Sequence, residues 1–550
     1  MPNLTKKKTE NMKASLDGRL PILRLAALTV AAIFLHGYHL GVEDGEIYVP
    51  AAKKSLNPAL YPYATEFFLS HGHLSLFSPL LAWTARLTHL SMDWAILAWF
   101  VVTLFAMLLA CWTLAAACFK SQRARWCAVL VATTVLAMPA SNTGLLLMDT
   151  YLTARSFSTP LTLFALAFLL ERKYLRAGIA VLLTAAIHPQ MVVYLLFLAA
   201  MLALAERHRQ IRAPQPVLAA AVGFIPSGFH LAPATGAYRE CFYARDYYFL
   251  YNWAWYHWLG LLAPLAILAW FWKGKLRGTR PAFALLSFIL LPFGLLSIAV
   301  GLLFSSSPQF DMLARLQPMR TFHLITIVFT LLLGGVIGEY AAKGRAWVVA
   351  ALVLPLAGGM FFSARQNFPH STQIEVPSST SSNPWVNALL WVRVHTPQNA
   401  VFALDARYLD DPETDVHGFR AIAERSSLAD YVKDGGVVSL FPNLADEWKQ
   451  MSTATFHLNH FQAQDFRHLQ TQYPAVTWTI VHGPAPQSLN CPYQQRGYAV
   501  CQLEKIPVAA AGQPVTSQNE PAQAAAFGIL AWLGQNGVDK KVPCSISRSV

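Results

Sequence analysis

Long apolar segments recur along this chain, separated by short clusters of Lys and Arg. Crossing a bilayer as one helix takes about 20 apolar residues. Segments near that length run from Pro21 to Leu40, Trp94 to Phe119, Pro281 to Phe304 and Thr321 to Tyr340. Of the 550 residues, 55% are hydrophobic and only 13% charged, whereas soluble domains carry about 25% charged residues. The pattern therefore predicts a polytopic membrane protein rather than a soluble fold.

Orientation follows from where Lys and Arg fall in the short loops. The spacing predicts further spans at Trp126–Pro139, Phe157–Leu170, Ala177–His188, Met191–Ala205, Pro216–Leu231, His257–Trp272 and Trp347–Phe362. Leu74–Leu90 is interrupted by Pro79 and Arg86, so it is expected at the outer interface rather than across it. Placing it there keeps the clusters at Lys120–Arg125, Arg172–Arg176, Arg207–Arg212, Lys273–Arg280 and Lys343–Arg345 on the inner side, with the N-terminus. The expectation is about 11 transmembrane helices, N-terminus inside and C-terminus outside. The first apolar segment has no small-residue cleavage site after Leu40 and reads as a retained helix rather than a signal peptide.

The net charge of +13 does not point to nucleic acid, because the basic residues are dispersed as loop ends instead of forming one patch. Cys111, Cys118 and Cys127 lie in or beside apolar segments, as small buried hydrophobes do. Cys491 and Cys501 lie in a polar region, where an oxidising compartment would allow a disulfide. No CxxC or His-rich spacing suggests zinc.

After about residue 370 the composition turns polar. The expected division is a cytoplasmic tail at 1–20, a transmembrane domain at 21–365 with a first outer loop at 41–73, a linker at 366–384, an extracytoplasmic domain at 385–506 and a mobile tail at 507–550. Within 385–506, helices are expected at Trp385–Val394, Leu444–Met451 and Phe461–Gln472, strands at Ala400–Leu404 and Val476–Val481, and a hairpin at Cys491–Leu503. That alternation predicts a small α/β domain.

Candidate chemistry starts in the acidic loop Gly41-Val42-Glu43-Asp44-Gly45-Glu46. Carboxylates at a bilayer edge tend to mark a substrate or ion site. Glu43, Asp44 and Glu46 are candidate general bases, and Asp44 with Glu46 a candidate site for a hard divalent cation such as Mg or Mn. A solvated loop that satisfies helix ends is the alternative. Asp149 and Arg155 share the next outer loop, as a substrate contact or a salt bridge. His188-Pro189-Gln190 could bind a polar headgroup or simply turn the chain. Arg315, Arg320 and His323 surround Gln317-Pro318; Arg matches phosphate with its planar fork, and snorkelling to the interface is the alternative.

The order of these features resembles GT-C type membrane glycosyltransferases such as protein O-mannosyltransferases and aminoarabinose transferases. An inner basic tail and one span lead to the acidic loop, then to an amphipathic segment and Ser78-Pro79-Leu80-Leu81-Ala82-Trp83. Over about residues 20–505 the chain also resembles a bacterial family of uncharacterised multi-pass membrane proteins related to that fold. The motifs are Gly41-Val42-Glu43-Asp44 with Ile47-Tyr48, Asn57-Pro58-Ala59-Leu60-Tyr61-Pro62, Arg155-Ser156-Phe157-Ser158-Thr159-Pro160 and His188-Pro189-Gln190. Thr396-Pro397 with Ala400-Val401-Phe402, and Phe419-Arg420 with Glu424-Arg425-Ser426, complete the set. The resemblance implies an inner-membrane enzyme that takes sugar from a polyprenyl-phosphate donor, with a first-loop carboxylate as base. This sequence reads Glu-Asp-Gly-Glu where the usual order is Asp-Glu. The alternative is a non-catalytic or ion-coupled protein of envelope polymer transport.

Overall fold

Helices dominate as far as Asn367, and a small sheet follows. The computed structural model describes residues 21–210, 231–341 and 345–503. The first apolar helix, α1 (Pro21–His36), ends at Gly37. Three short helices follow it: α2 (Gly45–Leu56), α3 (Glu66–Gly72) and α4 (Phe77–Thr88). The helical body comprises α5 (Met92–Cys118), α6 (Gln122–Thr134), α7 (Ala154–Leu170), α8 (Tyr174–Ile187), α9 (Pro189–Gln210) and α10 (Gly236–Tyr243). It continues through α11 (Trp255–Lys273), α12 (Pro281–Ser305), α13 (Asp311–Ala314), α14 (Thr321–Tyr340) and α15 (Ala346–Asn367).

Six of the described helical segments are long and apolar enough to cross a membrane: α5, residues 189–206 of α9, α11, α12, the stretch 308–340 that ends in α14, and α15. The chain is a membrane protein on that ground. The expected count of about 11 is not met. α1, α7 and α8 are apolar but short; 17 residues rise about 26 Å, against a hydrocarbon core of about 30 Å. α6 has 13 residues and carries Arg123 and Arg125. Its apolar face meets protein instead of lipid: a Cβ added at Gly338 of α14 would lie 2.6 Å from Cys127 Cβ. Apolarity records burial of either kind, so counting apolar runs overcounted spans. Of the other expectations, the N-terminal tail, nearly all of 216–231 and the tail from 507 lie outside the described residues. The 12-residue α4, by contrast, is short as expected.

The C-terminal part holds α16 (Pro384–His395), β1 (Val401–Ala403), α17 (Phe419–Ala423), β2 (Ser426–Ser427) and α18 (Lys433–Val438). It then runs through α19 (Ala445–Ala454), α20 (Ala463–Gln472), β3 (Val476–His482), β4 (Asn490–Gln495) and β5 (Tyr498–Gln502). α16 starts where Asn383 Oδ1 accepts the Trp385 N–H at 2.8 Å, with Pro384 in the first turn. Strand order is β2-β1-β3-β5-β4. β1 runs parallel to both β2 and β3, while β5 is antiparallel to β3 and β4. Cys491 and Cys501 form a disulfide within the terminal hairpin. The α/β reading of this region holds.

Candidate functional site

The acidic loop is fastened to the C-terminal part before any charge is considered. Val42 bridges His417 in antiparallel fashion, and the Gly418 N–H donates to Gly41 O at 2.9 Å. Gly41 sits at φ 74°, and a Cβ there would come within 3.0 Å of Ile422 Cγ1. Both the left-handed backbone and the close approach call for glycine. A Cβ at Gly418 would fall on the Glu46 side chain.

Asp44 is the N-cap residue of α2 and faces two cations. Arg155 Nη2 donates to its Oδ2 at 3.0 Å, and Lys433 Nζ to its Oδ1 at 3.2 Å. Lys433 also pairs with Glu43. Arg155, at the start of α7, is shared with Asp149 Oδ2 at 3.0 Å, and Thr153 Oγ1 donates to the same oxygen at 3.0 Å. Burial pushes the Asp44 carboxyl up, but Lys433 and Arg155 outweigh it and hold the group well below the usual carboxylate range. For Asp149 burial wins, reinforced by Asp44, and the carboxyl is raised despite Arg155. Lys433 is driven the other way: Glu43 and Asp44 overcome its burial and raise its pKa. One carboxylate is thus fixed as an anion beside another that is pushed toward its neutral form.

Glu46 has a different role. It is 1% exposed, and its oxygens accept from Arg420 Nε at 2.8 Å, from the Arg420 N–H at 3.0 Å and from the Ala421 N–H at 3.0 Å. Arg420 also reaches Asp434 at 2.6 Å and Asp430 at 3.4 Å. Glu46 therefore locks α2 to α17, and its oxygens are already occupied. Among the described residues, no group of three or more His, Cys, Asp or Glu side chains is arranged to hold a metal ion.

A third group of expected residues gathers around Arg320. Its Nη1 donates to Gln190 Oε1 at 3.3 Å, and its guanidinium lies 5.6 Å from the centre of the Tyr247 ring. Gln190 also donates to Gln317 Oε1 at 3.4 Å, and Gln317, at φ 52°, donates to Tyr248 Oη at 2.8 Å. His323 Nε2 shares a 3.2 Å hydrogen bond with Leu147 O. His188 is buried, and both Arg155 and Arg320 act with that burial to keep it neutral. Arg315 does not join them. It lies 5.7 Å from the Tyr238 ring centre and reaches Leu440 O at 3.5 Å, so it ties α13 to α10 and the C-terminal part.

No known family model matches this chain, and no curated protein matches it in sequence.

Sequence reasoning missed His71 and Lys433. His71 Nε2 shares a 2.9 Å hydrogen bond with Tyr48 Oη. Burial holds His71 down at about 4, with Arg155 and Arg320 adding to the effect against Asp44. The same two arginines and Asp44 act on Tyr48. Asp44, Arg155 and Arg320 therefore all lie near enough to act on Tyr48 and His71, and the two arginines also act on His188. Among the described residues Arg320 has no carboxylate within ion-pair distance, and its Nε has no hydrogen-bond partner. A half-buried guanidinium in that state favours an anionic ligand.

Proposed function

We propose that this protein is a membrane glycosyltransferase that takes a sugar from a polyprenyl-phosphate donor and passes it to an envelope acceptor at the outer face. The observation that carries the reading is Arg320, without a carboxylate partner among the described residues and near enough to Asp44 that both act on Tyr48 and His71. Arg320 would hold the donor phosphate through charge-assisted hydrogen bonds. An acceptor hydroxyl oxygen would attack the anomeric carbon as the bond from that carbon to the phosphate oxygen breaks. The electron pair leaves with the polyprenyl phosphate, whose charge Arg320 stabilises, and the hydroxyl proton passes to Asp44. Arg155 and Lys433 hold Asp44 in place, and they must loosen as it takes up the proton. The disulfide in the C-terminal hairpin supports an oxidising compartment for that region. A divalent cation is a further proposal: the Glu46 oxygens are taken by Arg420 and Ala421, and Asp44 would serve as its ligand only by exchanging Arg155 or Lys433 for the metal.

The test is transfer of radiolabelled sugar from polyprenyl phosphate by the full chain in nanodiscs, beside mass spectrometry of envelope glycans from a deletion strain. Arg320→Ala should weaken donor binding at least tenfold, and Asp44→Asn should abolish transfer while donor binding persists. Undiminished transfer by Asp44→Asn, or an unchanged glycan profile in the deletion strain, overturns the reading. A second reading, ion-coupled transport, draws on the buried carboxylate and cation cluster itself. It requires substrate movement in sealed vesicles to follow an ion gradient.

A further inference from the structure

A separate crevice of about 500 Å³ opens between the end of α1, the start of α5, the linker and α16. Its floor is aliphatic, formed by Leu40, Val386, Leu390 and Ile422, and hydroxyls of Thr380, Ser381 and Ser382 stand on its rim. Its size falls in the range of small-molecule sites. None of the residues proposed for sugar transfer lines it.

The charges in its walls cancel locally. Asp93 pairs with Lys53 at 2.9 Å and accepts from Arg393 at 2.8 Å, and Arg393 also reaches Glu424 at 2.8 Å. Two cations and two carboxylates leave no excess charge there. Glu375 Oε2 faces His417 Nε2 at 2.8 Å and accepts the Leu40 N–H at 3.1 Å. The other oxygen, Glu375 Oε1, is buried and has no hydrogen-bond partner among the described residues. An unsatisfied buried acceptor carries a desolvation penalty, which a donor from a ligand would remove. A phosphate brings no donor and would meet a carboxylate; a hydroxyl brings what is missing. Asp93 lies in the first turn of the 27-residue α5, so the crevice opens at the end of a membrane span.

We propose that this crevice binds a neutral, hydroxyl-rich group, with one ligand hydroxyl donating to Glu375 Oε1 and an aliphatic portion of the ligand on the Leu390 floor. The same chemistry is offered by a membrane glycolipid and by a free saccharide. The opening at the end of α5 favours the glycolipid.

The experiment uses the full chain in nanodiscs with octyl maltoside bearing a diazirine in its alkyl chain. Photolabelled sites are mapped by peptide mass spectrometry. Labelling is expected to concentrate within residues 372–393, to fall at least fivefold in Leu390→Trp, which fills the floor, and to fall with unlabelled octyl maltoside in excess. Val376→Trp, at an exposed position on the rim, is the second variant should Leu390→Trp fail to fold. Octyl phosphate should not compete. If maltose competes as well as octyl maltoside, the ligand is a free saccharide; if only octyl maltoside competes, it is a glycolipid. Labelling spread evenly over lipid-facing α15, or insensitive to both variants, overturns the proposal, as does equal competition by octyl phosphate. Arg320→Ala should leave the labelling unchanged, so loss of sugar transfer and loss of this site can be told apart.

Discussion

Lys433 Nζ lies 3.2 Å from Asp44 Oδ1, across 389 positions of sequence. The contact joins the first residue of α18 to the loop that opens α2. Because Arg155 holds the other oxygen of the same carboxylate, Asp44 is tied at once to the helical body and to the C-terminal part. Movement of either partner changes the charge felt by the loop.

Replacing Lys433 with Ala should therefore act on both stability and titration. Asp44 keeps Arg155 but loses one charged hydrogen bond, a change of about 1.5–3 kcal/mol. Its carboxyl should titrate higher than in the parent, since a cation that lowers it is gone. Thermal unfolding in nanodiscs measures the first effect, and infrared titration with Asp44→Asn as reference measures the second. An unchanged carboxyl band would show that Arg155 alone sets the charge state.

Arg420 makes a stronger case, because it is 2% exposed and faces Glu46, Asp430 and Asp434. Arg420→Met leaves three buried carboxylates without their cation, at a cost of about 3–5 kcal/mol. Burial already raises all three, and loss of the cation raises them further. Groups with a folded pKa above the unfolded value contribute more stability as pH falls. The variant should recover part of its loss as pH falls through these raised values toward the unfolded carboxylate range of about 4. A constant deficit across that range, measured by thermal unfolding, would refute the charge explanation.

The sequence made the regular elements of the C-terminal part legible and left its docking hidden. The strand expected at Ala400–Leu404 is β1 at Val401–Ala403, and the helix expected at Phe461–Gln472 is α20 at Ala463–Gln472. Periodicity and turn residues announce such elements locally. Nothing local announces that Glu46 meets Arg420 at a separation of 374 positions. Lys53 shows the same limit: it counts as an outer-loop charge by sequence, yet it is 3% exposed between Asp93 and Glu424. Asp44, Asp149, Arg155, His188, Gln190 and Arg320 were legible because polar groups beside apolar segments stand out. His71 did not, since a His in the last turn of the seven-residue α3, with His73 just beyond, carries no pattern of its own.

The Glu375–His417 pair should give the linker region a stability optimum in pH. His417 gains from Glu375 more than burial takes away, so its pKa is raised; Glu375 is held down at about 2, with His417 overcoming its burial. The ordinary values are about 4.3 for Glu and 6.5 for His. The His417 contribution is complete below about 6.5 and fades as pH rises through the raised value. The Glu375 contribution is complete above about 4.3 and fades as pH falls toward 2. Protection factors at residues 372–376, that is exchange corrected for its intrinsic pH dependence, should be highest between those limits. In His417→Asn the alkaline fall in protection should vanish; its persistence would assign that limb to another group.

The Cys491–Cys501 bond closes a short loop, with a separation of 10 positions. On the chain-entropy account its removal costs about 2–3 kcal/mol. That loss should be local, because β4 is the edge strand and pairs only with β5 in the sheet order. Cys491→Ser with Cys501→Ser should therefore speed amide exchange in β4 and β5. β1 and β3 should exchange as before, since β3 keeps its parallel pairing with β1 and Val476 and Ile480 remain buried. Exchange spreading through β3 to β1 would mean that the hairpin and the rest of the sheet unfold as one unit.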